Sequence, residues 1–291
     1  MMKRSIFGKH LQAYIALFLG ILCVGFAAVF VKIANVPGPV AAFYRVLIAS
    51  IVIAPLSLTK TRIRPTANDT IVVIIGGIIF SLTLALWNTS VLLTSAATAT
   101  LLVNSAPLWV GITSYILFRE NLPKGYWIGL VVATIGMMWL IGAEAYEQLH
   151  FNSGNLLALG ASATYSAYLL ITQKTRSRVD LLTFMSISLL SSVVVLFLFN
   201  IAIGAKLTGY SNQTWITLIC LGLVSQLGGW LGINYALGHI CAARVSVWLL
   251  SESVATGIIA MIFLNEYLHL NQIIGGTMIL VGIYFVTQSN K

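Results

Sequence analysis

Charge is what this sequence has least of. Only 8% of its 291 residues are charged and just 7 of them are acidic, where a soluble domain carries roughly a quarter. A chain so poor in charge, and 59% apolar, is not a soluble globule, a disordered segment or a collagen. Cysteine is equally scarce. Cys23, Cys220 and Cys241 are odd in number, lie within or at the ends of apolar runs and show no metal-ligand spacing. They read as packing residues and exclude a disulfide scaffold. The four histidines, His10, His150, His239 and His269, fall at loop ends, and no HExxH, P-loop or nucleophile with a base appears. No enzyme active site, nucleotide-driven pump, metal or cofactor is expected.

What the chain does have is long apolar runs: 11–32, 39–58, 69–91, 95–118, 125–142, 154–173, 180–203, 214–237, 241–264 and 271–288. About 20 apolar residues cross a hydrocarbon core roughly 30 Å thick. None of the runs alternates with period two, which argues against a transmembrane barrel, and helices then remain as the way to satisfy every backbone group in lipid. The first run is longer than a signal-peptide core and lacks a small-residue cleavage site, so it is expected to stay as a span. Ten transmembrane helices follow.

Lys and Arg in short loops are retained on the cytoplasmic side. With the N-terminus inside, Lys3, Arg4, Lys9, Lys60, Arg62, Arg64, Arg119, Lys124, Lys174, Arg176, Arg178, Arg244 and Lys291 are cytoplasmic, and only Lys32 and Lys206 lie outside. Both termini are thus expected in the cytoplasm of a bacterium, with the protein in its inner membrane. The net charge of +9 is explained by anionic lipid as partner, without nucleic acid.

Sliding the second half over the first by 146 positions aligns Asn88 with Asn234, Ser105 with Ser251, Gly111 with Gly257, Glu120 with Glu266, Gly129 with Gly275 and Gly136 with Gly282, without a gap. Each half holds five runs, so the second copy enters the membrane from the opposite side. The expected fold is an all-α integral membrane protein: ten helices in two inverted five-helix repeats, at 11–142 and 152–288. Two inverted copies that exchange shapes open a midplane site to one side and then the other. Duplication that merely builds a stable bundle is the competing explanation.

The stretch Asn104-Ser105-Ala106-Pro107-Leu108, then Phe118-Arg119-Glu120-Asn121-Leu122, Gly129 and Gly136, is repeated as Leu250-Ser251-Glu252-Ser253-Val254, Leu264-Asn265-Glu266-Tyr267-Leu268, Gly275 and Gly282. Together with Pro39 and Phe43-Tyr44-Arg45, this resembles the EamA family of the drug/metabolite transporter superfamily. The resemblance implies ten helices and export of small metabolites, often amino acids or amphipathic compounds. Ser253 stands where the family usually has proline, so the ninth helix is expected to be straighter than the fourth, where Pro107 removes a hydrogen bond to the Val103 carbonyl.

Glu252, near the middle of the ninth run, is the sharpest single feature, because an ionised group there costs roughly 2.5–3.5 kcal/mol. It reads either as a proton-coupling or amine-binding site or as a hydrogen-bonded tie between helices. Arg45, about two turns into the second run, reads as a structural charge within snorkelling reach of the interface. Lys32 and Arg244 read as interface anchors, as do Trp127 and Trp139. Glu120 and Glu266 are expected to brace loops. Gly125 with Gly129, and Gly228 with Gly232, mark close helix approach.

Polar and aromatic residues recur four apart: Gln226, Trp230 and Asn234 on the eighth run, and Arg244, Trp248 and Glu252 on the ninth. Trp87 and Asn88, Asn104 and Trp109, and Tyr165 and Tyr168 extend the pattern to the third, fourth and sixth. Such faces suit a ligand with an apolar body and a polar end, although Asn, Ser and Thr also bond across helices for about 0.6 kcal/mol each. The expected activity is secondary export of small amphipathic metabolites such as amino acids, by a monomer or weak homodimer, with Glu252 as coupling residue. Efflux of hydrophobic cations is the alternative, and a purely structural membrane role a more distant one.

Overall fold

A computed structural model describes residues 2–60, 65–93, 96–141, 152–264 and 270–289. All its regular elements are helices: α1 Met2–Gly25, α2 Ala27–Ala34, α3 Gly38–Lys60, α4 Ala67–Leu93, α5 Ala96–Val103, α6 Ala106–Ile116, α7 Lys124–Ile141, α8 Ser153–Arg176, α9 Leu181–Ala202, α10 Asn212–Cys220, a π-helical stretch π1 Leu221–Gly229, α11 Trp230–Leu237, α12 Ala242–Leu249, α13 Ser251–Leu264 and α14 Leu270–Gln288. Seven helical stretches among the described residues are long and apolar enough to cross a membrane, fewer than the ten runs promised. The reason lies in three runs. The fourth and fifth supply only the shorter apolar stretches Leu101–Ile116 and Lys124–Leu140 among the described residues, and α8 carries Ser162, Thr164, Tyr165, Ser166 and Tyr168 in its middle.

Local chemistry explains where helices start and stop. Thr66 Oγ1 accepts from the Asp69 N–H at 3.1 Å and donates to Asp69 Oδ2 at 2.7 Å, a reciprocal cap at the head of α4. Asp180 Oδ1 accepts from the N–H groups of Leu182 and Thr183 at the head of α9, Asn152 Oδ1 from Asn155 at the head of α8, and Ser211 Oγ from Thr214 at the head of α10. α6 ends differently. Arg119 takes the left-handed conformation at φ 52°, and the next N–H, of Glu120, bonds the Ser114 carbonyl at 3.0 Å. That is a helix stop in which glycine is the usual residue.

The chain forms two compact units that each draw on both halves of the sequence: Met1–Ala85 with Ile171–Cys241, and Leu86–Leu170 with Ala242–Lys291. In the first unit, α3 packs along α9, and α1 along π1 and α11. Backbones meet where side chains are smallest: a Cβ on Gly20 would lie 2.7 Å from the Gly229 carbonyl oxygen, and one on Gly232 would strike that of Ala16. Gly229 and Gly232 thus make the close approach; a Cβ on Gly228 would stand at ordinary contact distance, 3.5 Å from the Cys23 sulfur. Asn200, fully buried, donates from Nδ2 to the carbonyls of Pro39 at 3.0 Å and Leu196 at 2.8 Å, tying α9 to the head of α3.

In the second unit the main contact is α7 against α14. A Cβ on Gly129 would lie 2.5 Å from the Gly282 oxygen, and one on Gly282 the same distance from the Gly129 oxygen. Gly136 and Gly275 oppose each other likewise. Numbers rise along one helix as they fall along the other, so the pair is antiparallel. Gly125, with Ser289 Cβ 2.6 Å from where its own would be, extends the seam.

Two stability outcomes follow from this packing. Gly282→Ala should lower the melting temperature in detergent by the equivalent of about 1–3 kcal/mol or more, because the new methyl meets backbone rather than a movable side chain. Arg119→Gly should raise it by the equivalent of about 1 kcal/mol, the cost of holding a side-chain-bearing residue left-handed. Intrinsic tryptophan or scattering melts of the purified variants measure both.

Candidate functional site

Polar side chains within the spans gather at two centres, one in each unit. The first is Arg45, on α3. It is 7% exposed, and its Nε donates to Gln226 Oε1 at 2.7 Å. The expectation of a side chain snorkelling to the interface is therefore corrected: the guanidinium is buried against a neutral acceptor. Gln226 reaches it from π1, a stretch bonded in the wider i→i+5 pattern often found at functional sites. Gly222, also in π1, lies against Ile48 and the Arg45 backbone. The adjacent Ser225 hydroxyl is fully buried and finds no hydrogen-bond partner among the described residues.

Gln226 lies within π1, and Trp230 and Asn234 lie on α11, which continues it. All three are buried, each toward a different neighbour. Gln226 holds Arg45, Trp230 stacks edge-on against Phe80 with centroids 4.7 Å apart, and the Asn234 backbone carbonyl accepts from Arg176 Nε at 3.3 Å.

Arg176 was legible only as a topology signal, yet it is a brace. Besides Asn234 its guanidinium bonds the Val179 carbonyl, so a cation closes the C-terminal end of α11, where it is favoured by the helix dipole. Burial pulls its pKa below the ordinary arginine value, and the Asp180 carboxylate acts in the opposite direction. Nearby, Arg178 approaches Asp69 at 3.4 Å, but with Arg178 63% exposed this pair contributes little.

The second centre is a pair of helix breaks at matching positions. α5 stops at Val103 and α6 starts at Ala106; α12 stops at Leu249 and α13 starts at Ser251. The ninth helix, expected to be straighter than the fourth, is also interrupted, at Leu250, and without a proline. A serine stands at both breaks. Ser105 Oγ donates back to the Leu102 carbonyl at 2.6 Å and Ser251 Oγ to that of Trp248 at 2.7 Å, the same contact 146 positions apart. Tight i→i−3 backbone bonds flank both, Leu108 to Ser105 and Ser253 to Leu250. Such back-bonding competes with the α ladder and bends helices. Pro107 is an addition on the first copy, not the cause in both.

The breaks place chemistry. Glu252 falls in the first turn of α13, half-buried, at the positive end of a helix dipole that favours a carboxylate; a discontinuous helix is what makes this acid tolerable within a span. Ser105 Oγ and Ser162 Oγ lie 2.9 Å apart, joining the first break to α8. Asn104 Nδ2 meets Met137 Sδ at 4.0 Å, and Trp248 Nε1 donates to Thr287 Oγ1 at 3.1 Å. α6 packs on α12, so one half of each broken helix adjoins the other. Of the remaining site residues, Tyr168 is buried, Trp87 and Tyr165 are half-buried, and Trp109 is 43% exposed. Asn88 lies on α4, with its side chain outside the described part. Glu266, His150 and His269 lie outside the described residues altogether. Glu120 serves through its backbone at the end of α6. The described residues hold no cluster of metal ligands, and the three cysteines are unlinked and half-buried.

An all-helical multi-pass membrane protein with broken helices and polar centres in its spans is the class these features define. The model of the EamA-like transporter family matches residues 11–142 and again 152–288, and the chain belongs to that family. It is 22% identical over 255 residues to the uncharacterized transporter YdfC of Bacillus subtilis, covering 86% of this chain and 83% of that one. With an uncharacterized transporter of Archaeoglobus fulgidus it shares 25% identity over 274 residues, 92% of this chain and 93% of the relative. A solved crystal structure superimposes with a TM-score of 0.81 over 96% of this chain and 98% of the other at 17% identity, which shows the shared fold. The protein is a membrane transporter.

The Arg45–Gln226 bond generates a measurable expectation. Gln226→Leu removes the acceptor that Arg45 Nε bonds in a buried setting and should destabilise the protein by about 1.5–3 kcal/mol. Arg45→Met with Gln226→Leu should cost less than the two single changes summed. A double-mutant cycle of detergent melting curves reads the coupling; additive losses would show the bond to be energetically silent.

Proposed function

We propose that this transporter is a secondary carrier that exports small amphipathic metabolites such as amino acids, by alternating access, with Glu252 taking up and releasing the coupling proton. The observation that carries the reading is the pair of matched breaks at Ser105 and Ser251, with Glu252 at the head of α13. Discontinuous helices whose half-helix ends meet substrate and ions at mid-depth are how inverted-repeat carriers build their sites. The antiparallel α7 and α14, whose opposed pairs Gly129–Gly282 and Gly136–Gly275 exchange under the 146-residue shift, support two inverted five-helix repeats and ten crossings in all. The bias of Lys and Arg supports cytoplasmic termini in a bacterial inner membrane.

Aromatic rings near the breaks, Trp248 on α12 and Trp109 on α6, supply the apolar side of such a site, and the Glu252 carboxylate suits an amine. The same pair of features would serve a hydrophobic cation, so multidrug efflux is the second reading.

The test is uptake and counterflow in proteoliposomes with labelled amino acids and hydrophobic cations, with and without a pH gradient. The parent protein should accumulate a zwitterionic amino acid against its gradient when a pH difference is imposed. Glu252→Gln, with a permanently neutral side chain, should keep counterflow and lose the gradient-driven accumulation. Undiminished accumulation with unchanged pH dependence would remove Glu252 from coupling, and movement of cations alone would favour efflux.

A further inference from the structure

The α7–α14 seam is its own counterpart under the 146-residue repeat, as is the packing of α3 along α9, and of the two it is the one in which glycine backbones oppose each other. Gly129 opposite Gly282 becomes, on shifting each number to the other copy, Gly275 opposite Gly136, and that contact is present. The flanks obey the same rule. Gly282 meets the Ala133 nitrogen at 2.7 Å and Gly136 meets the Ile279 nitrogen at 2.8 Å, where 133 and 279 are equivalent positions. A local two-fold axis therefore passes through the middle of this antiparallel pair, near Ala133 and Ile279, both fully buried.

Symmetry then separates contacts that must change from those that need not. In a carrier built from inverted copies, the inward and outward states interconvert as the copies exchange shapes, and each contact is replaced by its counterpart. The packing of α6 on α12 has α5 on α13 as its counterpart, a different pair of half-helices, so it must be remade in each cycle. The α7–α14 contact maps onto itself and is the same in both states. It is also backbone against backbone, with no rotamer available to absorb sliding, and close-packed interfaces of this kind do not deform continuously.

We infer that α7 and α14 stay locked as a single body throughout the transport cycle, an axle on the repeat axis between which no substrate passes. This rests on the alternating-access reading, and the test separates the two. Gly125→Cys with Ser289→Cys places sulfurs at the end of the seam. The two Cβ positions, 2.6 Å apart as they stand, need only about 1 Å of relaxation at a helix end to reach disulfide spacing. Counterflow by the oxidised protein should stay within about twofold of the reduced form, the spread expected of a change remote from the moving parts. A loss greater than about tenfold, more than 1.4 kcal/mol of barrier, that dithiothreitol reverses would overturn the inference.

If the reduced protein moves none of the compounds, the transport reading fails on its own account, and distances decide the axle. Spin labels at K124C and Q288C should report one unchanged distance in acidic and alkaline vesicles, while labels at Y115C and R244C, on α6 and α12, report a change. A K124C–Q288C distance that moves with the second pair would sink the proposal.

Discussion

Inside hydrocarbon a polar group has no water to fall back on, and each unsatisfied backbone N–H or carbonyl costs several kcal/mol. The whole architecture follows from that constraint. Helices are obligatory, and a helix can break only where something nearby takes over its hydrogen bonds. At Ser105 and Ser251 the hydroxyl turns back onto the carbonyl three residues earlier, so the break carries its own compensation. A buried cation is held on the same terms, Arg45 by an amide oxygen at 2.7 Å. An acid is held by position, Glu252 in the first turn of a half-helix.

The two compact units divide this labour. In one, π1 and α11 pack on α1 through glycine backbones and present Gln226 to α3. In the other, the broken helices lie beside a seam that glycine makes tight. Neither unit coincides with a sequence half, because each is assembled from helices of both copies. Sequence duplication and spatial partition are separate properties of this fold.

Most of the helices were legible as apolar runs, because lipid imposes a single period and a single length on the residues that face it. The breaks were harder. Proline at 107 announces one, whereas serine at 251 does not, since the same hydroxyl-to-carbonyl bond also occurs inside unbroken helices, at Ser81 and Ser246. The repeat held the missing signal: Ser105 and Ser251 align, so a break in one copy argues for a break in the other. The winding of Leu221–Gly229 was not legible, because nothing in that stretch beyond its glycines marks a π-helix. Arg176 was read as topology because loop cations are usually solvated, and its brace depends on the Asn234 and Val179 carbonyls, which no pattern of side chains reveals.

The π-helical stretch makes the two halves of the sequence unequal. Shifted back by 146 positions, Leu221–Gly229 falls on 75–83 of α4, which is α-helical throughout, with Gly222 on Gly76. The same shift places Gln226 on Phe80 and Arg45 on Ser191. The buried bond between Arg45 and Gln226 at 2.7 Å therefore belongs to one pairing of the halves, and the equivalent pairing sets a phenyl ring and a hydroxyl in its place.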